Sequence, residues 1–395
     1  MPGTNWAALI TAFATMALLS CACTDRETQS RPEKALATIA SPGEAAERAT
    51  PAAPRGPALV FVAFDSDGSK VVVWNLETWQ PIRTFEFRVT DEPTAVALAG
   101  DMILYAFLDR VEVEPLEGGS RTPLWHAGAD QAVTTIAVSP DGELVAIGVE
   151  GRDISDLSRA RLVIVRLSDG AVIREFGREA VEVVGAAPAP KIWTPDGSSV
   201  AFFGYAHREG LPTYAVAKID GGLRPLQGTL LAFSPDGAVV ADAEQLLPHC
   251  EGPAIAARTI HLRELASWRV LSSIEAQEEA YFPLAVGPSG ETVLVAARVW
   301  DQGQEACMTY PPQPEYRYWD GHALLPIDDP LPIFRRWEGL PLDLRMDCPV
   351  DGDERPDPRH FACWSTTAPG ELFADGRSLG RYRAVEIVGV TRTER

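Results

Sequence analysis

The sequence predicts an all-β fold that is built from repeated antiparallel sheets. One phrase recurs: an alternating apolar strand, a Pro-Asp-Gly turn and a second apolar strand, at Ile136–Ile147, Ile192–Gly197 and Leu231–Gly237. Gly and Pro number 32 each and are spread along the 395 residues, as in a chain with many turns. Hydrophobic residues make up 46% of the chain, which is enough for a large core.

The turn inside this phrase follows from its residue types. Proline presets φ for the first turn position, aspartate bonds its own backbone, and glycine takes a positive φ. Weaker copies occur at Ala95–Asp101, Leu284–Gly290 and Leu344–Gly352. The six predicted turns end at Gly100, Gly142, Gly197, Gly237, Gly290 and Gly352.

Two further strands follow the turn in each unit, for example Arg161–Leu167 and Ala171–Phe176. The units resemble the WD-repeat family, with Trp74-Asn75 and Trp319-Asp320 at its signature dipeptide. The Ser-Pro-Asp-Gly phrase equally resembles the repeats of TolB-like proteins. The resemblance covers about residues 58 to 392. It implies a β-propeller, which is a ring of four-stranded sheets called blades.

Counting strands predicts seven blades. The chain opens with three strands of a blade whose first strand is missing, and it closes with one surplus strand. If the C-terminal strand completes the N-terminal blade, the ring closes and leaves no open sheet edge. The alternative is an open β-sandwich with additional fragments. The four strands are Leu59–Phe64, Ser69–Leu76, Pro81–Phe87 and Ala384–Val390.

The N-terminus predicts export and a lipid anchor. An uncharged apolar run, Trp6–Leu19, is too short to span a bilayer and suits a signal peptide. It ends in Leu18-Leu19-Ser20-Cys21, which resembles a bacterial lipobox with Cys21 as the acylated residue; Cys23 offers a second frame. The alternative is a simple secretory signal. We therefore expect a lipoprotein signal peptide at residues 1–20 and a chain held at the bacterial cell envelope, on its periplasmic or extracellular side.

The segment 21–57 is rich in Ala, Pro, Glu, Thr and Arg and has almost no large apolar residues, which predicts a disordered tether. The propeller then occupies residues 58–395. The formal net charge of −20 disfavours nucleic acid as a partner. We expect a monomer that meets the membrane through its lipid anchor alone.

Insertions concentrate between the second and third strands of blades three to six. They are Glu150–Ala160, Ala206–Pro212, Glu244–Arg258 and Asp301–Glu315. Such loops emerge on one face of a propeller, and loops on a rigid scaffold commonly carry function. The candidate binding residues on this face are Asp153, Asp156, His207, Glu209, His249, Glu251, Trp300 and Tyr310.

Four cysteines beyond the N-terminal pair predict two disulfides in an oxidising compartment. Cys250 and Cys307 lie in corresponding insertions of adjacent blades. Cys348 and Cys363 are placed on the first and second strands of one blade, where antiparallel neighbours come within disulfide range.

Catalytic and metal-binding patterns are largely missing, and no cofactor is predicted. Gly376–Gly380 matches the nucleophile-elbow pattern, but no His follows His360 and too few residues remain for a hydrolase domain. The six histidines show no metal-ligand spacing. The acidic stretch around Asp351 is a solvated turn or, alternatively, a Ca²⁺ site.

Two functions are consistent with these features. The first is a lipid-anchored scaffold that binds a protein or peptide through the face with the insertions, without catalysis. The alternative is a propeller hydrolase, lactonase-like or glycan-acting, with a metal or carboxylate site at the axial mouth.

Overall fold

The computed structural model describes residues 57–65, 68–151, 161–177, 183–184, 192–206, 212–226, 231–250, 252–276, 278–302, 305–311, 313–348, 359–362 and 369–391. The predicted signal peptide and nearly all of the predicted tether lie outside these residues. The described part is almost entirely β-structure, as the sequence predicted.

Residues 58–226 form four antiparallel sheets in succession. The first contains β1 (Ala58–Asp65), β2 (Gly68–Asn75) and β3 (Gln80–Arg88), followed by a 3-10 turn at Val89–Asp91. The second contains β4 (Ala95–Ala99), β5 (Met102–Ala106), β6 (Arg110–Pro115) and β7 (Thr122–His126). The third contains β8 (Gln131–Val138), β9 (Leu144–Gly151), β10 (Arg161–Arg166) and β11 (Val172–Gly177). The fourth contains β12 (Val183–Val184), β13 (Ile192–Trp193), β14 (Ser199–Ala206), β15 (Pro212–Lys218) and β16 (Leu223–Leu226).

A nine-stranded fifth sheet consists of two joined meanders. The first meander contains β17 (Leu231–Phe233), β18 (Val239–His249), β19 (Gly252–Glu264) and β20 (Val270–Glu275). The second contains β21 (Glu279–Val286), β22 (Thr292–Gln302), β24 (Glu315–Trp319) and β25 (Leu324–Ile327), with β23 (Glu305–Thr309) pairing with both meanders.

The remaining elements are one α-helix and five strands. They are α1 (Leu331–Glu338), β26 (Arg345–Asp347), β27 (His360–Ala362), β28 (Gly370–Ala374), β29 (Arg377–Tyr382) and β30 (Ala384–Thr391). The helix was not predicted, although local signals mark its ends. Asp329 accepts the Leu331 N–H at 2.9 Å, and Gly339 ends the helix with φ 67°.

The two ends of the described chain share the first sheet, whose strand order is β27-β30-β1-β2-β3. β30 pairs antiparallel with β1 from Ala58 opposite Thr391 to Phe64 opposite Ala384. The Ala58 N–H also donates to Thr391 Oγ1 at 3.0 Å. The C-terminal strand therefore lies beside the N-terminal strands, with β1 between β30 and β2.

The last sheet corrects the placement of Cys363. We expected the strand after Cys348 in that sheet to be the one that carries Cys363, but the strand paired with β26 is β28. β27, which precedes Cys363, instead pairs with β30 in the first sheet. The last sheet takes the later segment because Leu372 and Ala374 alternate as buried residues in β28.

The predicted turns are built as their residue types require. Ser139 donates to Asp141 Oδ1 at 2.5 Å and accepts the Leu144 N–H at 2.9 Å, while Gly142 has φ 73°. The same bonds recur in the turns that begin at Thr194 and Ser234. Each side chain thereby satisfies backbone donors that the tight turn leaves unpaired.

Apolar cores lie between consecutive sheets. One example joins the third and fourth sheets, where Leu162 and Phe176 pack with Trp193 and Val200. Another joins the first sheet to the last, where Phe61 and Leu372 lie in one cluster. In these clusters, sheets that are neighbours in sequence are neighbours in space.

Candidate functional site

Two hairpins in the fifth sheet extend well beyond their meanders. The segments 244–258 and 301–315, predicted as loop insertions, are largely strand. β18 and β19 remain paired from Val239 opposite Glu264 to His249 opposite Gly252. β22 continues past its pairing with β24 and turns back as β23. The expectation of loops was wrong here because each extension finds backbone partners in the other.

Five strands close into a small barrel at this place, which we call the ribbon barrel: residues 246–249, 252–257, 279–281, 297–302 and 305–309. β18 pairs with β19, β18 with β23, β23 with β22, β22 with β21, and β21 with β19. The contact that completes the circuit is Ala257 opposite Tyr281. Closure leaves no free edge among these strand ends, which makes the extension more rigid than a single hairpin.

The interior of the ribbon barrel is apolar. Ala256, Ala280, Ala297 and Met308 are buried, and Leu247, Val299 and Tyr310 pack against them. Three alanines let the strands of so small a barrel approach closely. Burial raises the pKa of the Tyr310 hydroxyl above its ordinary value. The Tyr310 ring stacks on His249 with 6.2 Å between ring centroids.

A disulfide ties the two hairpins together. Cys250 and Cys307 are bonded, with 5.1 Å between their Cα atoms, which confirms this predicted pair. The Cys250 N–H also donates to the Met308 carbonyl at 3.0 Å. Cys348 is disulfide-bonded as well, but Cys363 lies outside the described residues, so that pairing stays a prediction.

The outer surface of the ribbon barrel carries an exposed tryptophan. Trp300 lies directly opposite Cys307 in the strand register and is 55% exposed. Its Nε1–H donates to Thr309 Oγ1 at 3.1 Å, which restrains the ring. Leu246 on β18 is another exposed large apolar residue of the barrel. Exposed aromatic rings with restricted freedom are typical of protein-binding surfaces.

An ion-pair cluster supports the base of the ribbon barrel. Arg317 on β24 bonds Glu279 at 2.9 Å and Glu315 at 3.1 Å. Tyr281 donates to the other oxygen of Glu279 at 3.0 Å. Burial and the bond to Glu279 raise the pKa of Tyr281. The pKa of Arg317 is raised too, because its two carboxylate partners outweigh its burial. These bonds fix β21 to β24 beneath the extension.

The predicted face is brought together only in part. His249, Trp300 and Tyr310 all belong to the ribbon barrel or adjoin it, and His249 and Tyr310 stack on each other while Trp300 faces outward. Asp153, Asp156, His207, Glu209 and Glu251 lie outside the described residues, as does the acidic turn at Asp351. Met308 and Leu247, which hold the barrel, were not predicted.

Two faces of the molecule can be distinguished. In a meander, the turn between strands two and three lies at the opposite end from the turns between one and two and between three and four. We call the first end the ribbon face, because it carries the ribbon barrel and the connections between sheets. The other end is the turn face, and it carries the Pro-Asp-Gly turns.

Exposed large apolar side chains occur at both ends of the molecule. Ten are exposed among the described residues, and five of these lie at the ribbon face. They are Phe64, Val89, Leu108, Leu246 and Trp300. The turns that carry Val89 and Leu108 are held together by Arg110, whose guanidinium bonds Asp91 at 3.2 Å and Asp109 at 2.8 Å.

Metal and membrane features were sought in the described residues. There, no group of three or more His, Cys, Asp or Glu side chains is arranged to hold a metal ion. Within the same residues, no helix has both the length and the apolar character needed to cross a membrane. Catalysis at an axial metal or carboxylate site stays a prediction.

No protein-family model and no curated protein sequence matches this chain. Solved structures with a similar arrangement include β-propeller domains. One is the propeller domain of the trilobed protease from Pyrococcus furiosus, at 14% identity and a TM-score of 0.41, covering 66% of this chain and 75% of that one.

A putative TolB from Agrobacterium tumefaciens is similar at 16% identity and a TM-score of 0.34, covering 69% of this chain and 95% of that one. The propeller domain of Cps50 (Swd1) from Myceliophteria thermophila is similar at 13% identity and a TM-score of 0.38, covering 61% and 76%. Likenesses this distant say nothing about what the chain does, and the β-sheet architecture rests on its own strand pairings.

Proposed function

We propose that this chain is a seven-bladed β-propeller, anchored at the bacterial envelope, that binds a protein or peptide through its ribbon face. The observation that carries the proposal is the ribbon barrel. Two hairpins of adjacent meanders are joined by backbone pairing and a disulfide, and an exposed Trp300 stands on the outer side. A surface fixed in this way loses little conformational freedom when a partner binds.

The ring follows from the sheets in succession. The first four sheets, the two meanders of the fifth and the last sheet give seven blades, and in the first of them β30 lies between β1 and the short β27. The cores between consecutive sheets support this arrangement, and so does the cluster that Phe61 shares with Leu372 between the first sheet and the last. α1 supports the passage to the last blade, because Trp337 packs beside Tyr318 of β24, at 6.5 Å between ring centroids.

The proposed anchor and the ribbon face point in opposite directions. β1 begins at Ala58 on the turn face, since it runs toward the turn between β1 and β2 on the ribbon face. A tether that ends at residue 57 therefore joins the propeller on the side away from the ribbon barrel. Anchored through Cys21, the chain presents the ribbon barrel away from the membrane, where a soluble or envelope partner reaches it.

Site-specific photocrosslinking tests the binding face. A photoreactive amino acid at position 300 is expected to crosslink a discrete partner in envelope extracts, whereas the same group at position 271 is not. Leu271 is the matched control, because it is an exposed apolar residue of the same meander pair but lies on the outer strand β20. Equal crosslinking at both positions, or none at position 300, would contradict the proposal.

A shortened hairpin separates recognition from folding. Replacing residues 246–256 by a two-residue turn, with Cys307→Ser, removes the ribbon barrel while β18 and β19 keep their pairing from Val239 to Glu244. We expect the partner to be lost although the far-ultraviolet spectrum and cooperative unfolding persist. Retention of the partner would show that recognition lies elsewhere.

Cell fractionation tests the anchor separately. Cys21→Ala is expected to release the protein from membranes, and Cys23→Ala is the matched control that leaves it bound. If the Cys21 variant stays with the membrane fraction, the lipobox interpretation fails, whatever the outcome at the ribbon barrel.

A further inference from the structure

The Cys250–Cys307 disulfide lies on the outer surface of the ribbon barrel. Cys250 is exposed in the turn that joins β18 to β19, and Cys307 is half-buried on β23. Trp300 is directly opposite Cys307 in the strand register, and directly opposite residues lie on the same face of a sheet. The disulfide and the exposed tryptophan therefore belong to one surface, outside the apolar interior that Met308 helps to fill.

Cys348 is also disulfide-bonded, but its environment is different. It packs against the apolar cluster between the first sheet and the last, which contains Leu344 and Met346. Exposed disulfides are reduced more readily than packed ones, because the attacking thiolate must reach one of the two sulfurs. The two environments therefore predict that a thiol reaches Cys250 before it reaches the disulfide of Cys348.

Few backbone pairings join the two hairpins of the ribbon barrel to each other. Each hairpin is paired along its length, β18 with β19 and β22 with β23. Within the described residues, β18 meets β23 at a single pair, His249 opposite Met308. β19 likewise meets β21 at a single pair, Ala257 opposite Tyr281. The disulfide is therefore the main link between two hairpins that are otherwise complete in themselves.

The apolar interior of the ribbon barrel is a weak substitute for this covalent link. Three of its four buried residues are alanines, whose methyl groups bury little apolar area, and the fourth is Met308. Without the disulfide, this packing and the two isolated pairings must offset the entropy that the hairpins gain when they move independently. Reduction therefore favours an open barrel in which the strand that carries Trp300 has lost its tie to β18.

We propose that a dithiol reductase, a protein with two neighbouring thiols, controls partner binding by reducing the Cys250–Cys307 disulfide. The closed, oxidised ribbon barrel binds the partner, and the open, reduced one releases it. The inference rests on the binding function proposed above and adds its regulation.

The exchange of bonds begins at the exposed sulfur. A thiolate of the reductase attacks Cys250 Sγ and forms a mixed disulfide, and Cys307 leaves as a thiolate that takes up a proton. The second thiol of the reductase then attacks the mixed disulfide and releases Cys250 as a thiol. The reductase ends as a disulfide, and the two cysteines have gained its two electrons and two protons.

Thiol trapping tests where reduction occurs. The full-length protein is incubated with increasing dithiothreitol, free thiols are alkylated with N-ethylmaleimide, and the modified cysteines are identified by mass spectrometry. Cys250 and Cys307 are expected to be reduced about tenfold faster than Cys348, which is the internal control. Equal rates, or reduction of Cys348 first, would contradict a labile disulfide at the ribbon barrel.

Hydrogen exchange tests whether reduction opens the barrel. In the reduced wild type, amides of residues 246–257 and 305–309 should exchange about a hundredfold faster, while β9 and β10 keep their rates. The Cys250→Ser/Cys307→Ser protein is the matched control and should exchange like the reduced wild type, with or without dithiothreitol. Unchanged exchange in these segments after reduction would overturn the proposal, because the barrel would stay closed without its disulfide.

Crosslinking from position 300 separates this regulation from the binding function. The photoreactive group is placed in the wild type and in the Cys250→Ser/Cys307→Ser protein, and both are mixed with envelope extract. The wild type should crosslink the partner, and the serine protein should lose about tenfold of the product. Equal yields would overturn the regulation and leave the binding function intact. No crosslink from either protein would contradict the binding function itself, and with it the control of binding, even if the barrel opens.

Discussion

The turn face and the ribbon face are made by different kinds of contact. On the turn face, each Pro-Asp-Gly turn is closed by residues within five positions of one another, such as Ser234, Asp236 and Val239. On the ribbon face, the ribbon barrel joins Cys250 to Cys307 across 57 positions. One face is specified by local turn chemistry and the other by contacts between two meanders. A change in one local turn therefore leaves the other turns intact, whereas a change in any strand of the ribbon barrel affects the whole barrel.

The largest expected effect comes from removing the covalent link in the ribbon barrel. Chain-entropy estimates give up to about 4 kcal/mol for closing a loop of this length. The Cys250→Ser/Cys307→Ser protein should therefore unfold at a clearly lower denaturant concentration than the wild type. Hydrogen exchange should quicken in residues 246–257 before it does so in β9 and β10. An unchanged unfolding midpoint would mean that packing around Met308 holds the barrel without the disulfide.

The next largest effect on stability is expected at two glycines in the turns of the turn face, Gly237 and Gly142. A Cβ at Gly237 would lie 1.8 Å from the Trp193 carbonyl oxygen of the preceding sheet, whereas at Gly142 no atom lies within 4 Å. Both have positive φ, 71° and 73°. We expect Gly237→Ala to lower the free energy of unfolding by about 3 kcal/mol and Gly142→Ala by about 1 kcal/mol. Equal losses in denaturant titrations would show that the turns do not pack between sheets.

A smaller effect is expected from a hydroxyl in the same turn. Ser234 is fully buried, and its Oγ accepts the Val239 N–H at 2.9 Å. Ser234→Ala leaves that N–H without its side-chain partner and should cost about 1 kcal/mol of unfolding free energy. Ser234→Thr keeps the hydroxyl, as Thr194 does in the fourth sheet, and serves as the control. If Ser234→Ala leaves the free energy of unfolding unchanged, the backbone alone closes the turn.

The smallest expected effect is on the stability of the folded protein at acidic pH. Hydrogen bonds from Ser139 and the Glu143 N–H hold the pKa of Asp141 below its ordinary value, and bonds from Thr194 and Ser198 do the same for Asp196. A depressed pKa in the folded state means that the unfolded state binds more protons. This contribution to stability is therefore present above about pH 4, where the unfolded carboxyl ionises, and is lost as the pH falls through the folded-state pKa.

The Asp141→Asn/Asp196→Asn protein is expected to be slightly less stable than the wild type near neutral pH. Its denaturation midpoint should also fall less between pH 5 and pH 3. Both changes should be smaller than the effect of Ser234→Ala, because these carboxylates are exposed to solvent. Parallel pH profiles for the two proteins would contradict this role for the turn aspartates.

The local features were predictable because they depend on residues close together in the chain. The turns at Gly142, Gly197 and Gly237, the strands around them and the all-β fold follow from alternation and from Pro-Asp-Gly chemistry. The Cys250–Cys307 bond was also predictable, because both cysteines lie in insertions between the second and third strands of adjacent blades. Periodicity identifies strands and their buried faces well.

Neighbour relations at long range were decided only by the tertiary structure. Alternation says which side of a strand is buried, but it does not say which strand lies beside it. For that reason the sequence did not predict that β27 pairs with β30, that β19 pairs with β21 to close the ribbon barrel, or that β28 pairs with β26. Those pairings depend on which sheets pack together, and one of them closes the ribbon barrel to which we assign binding.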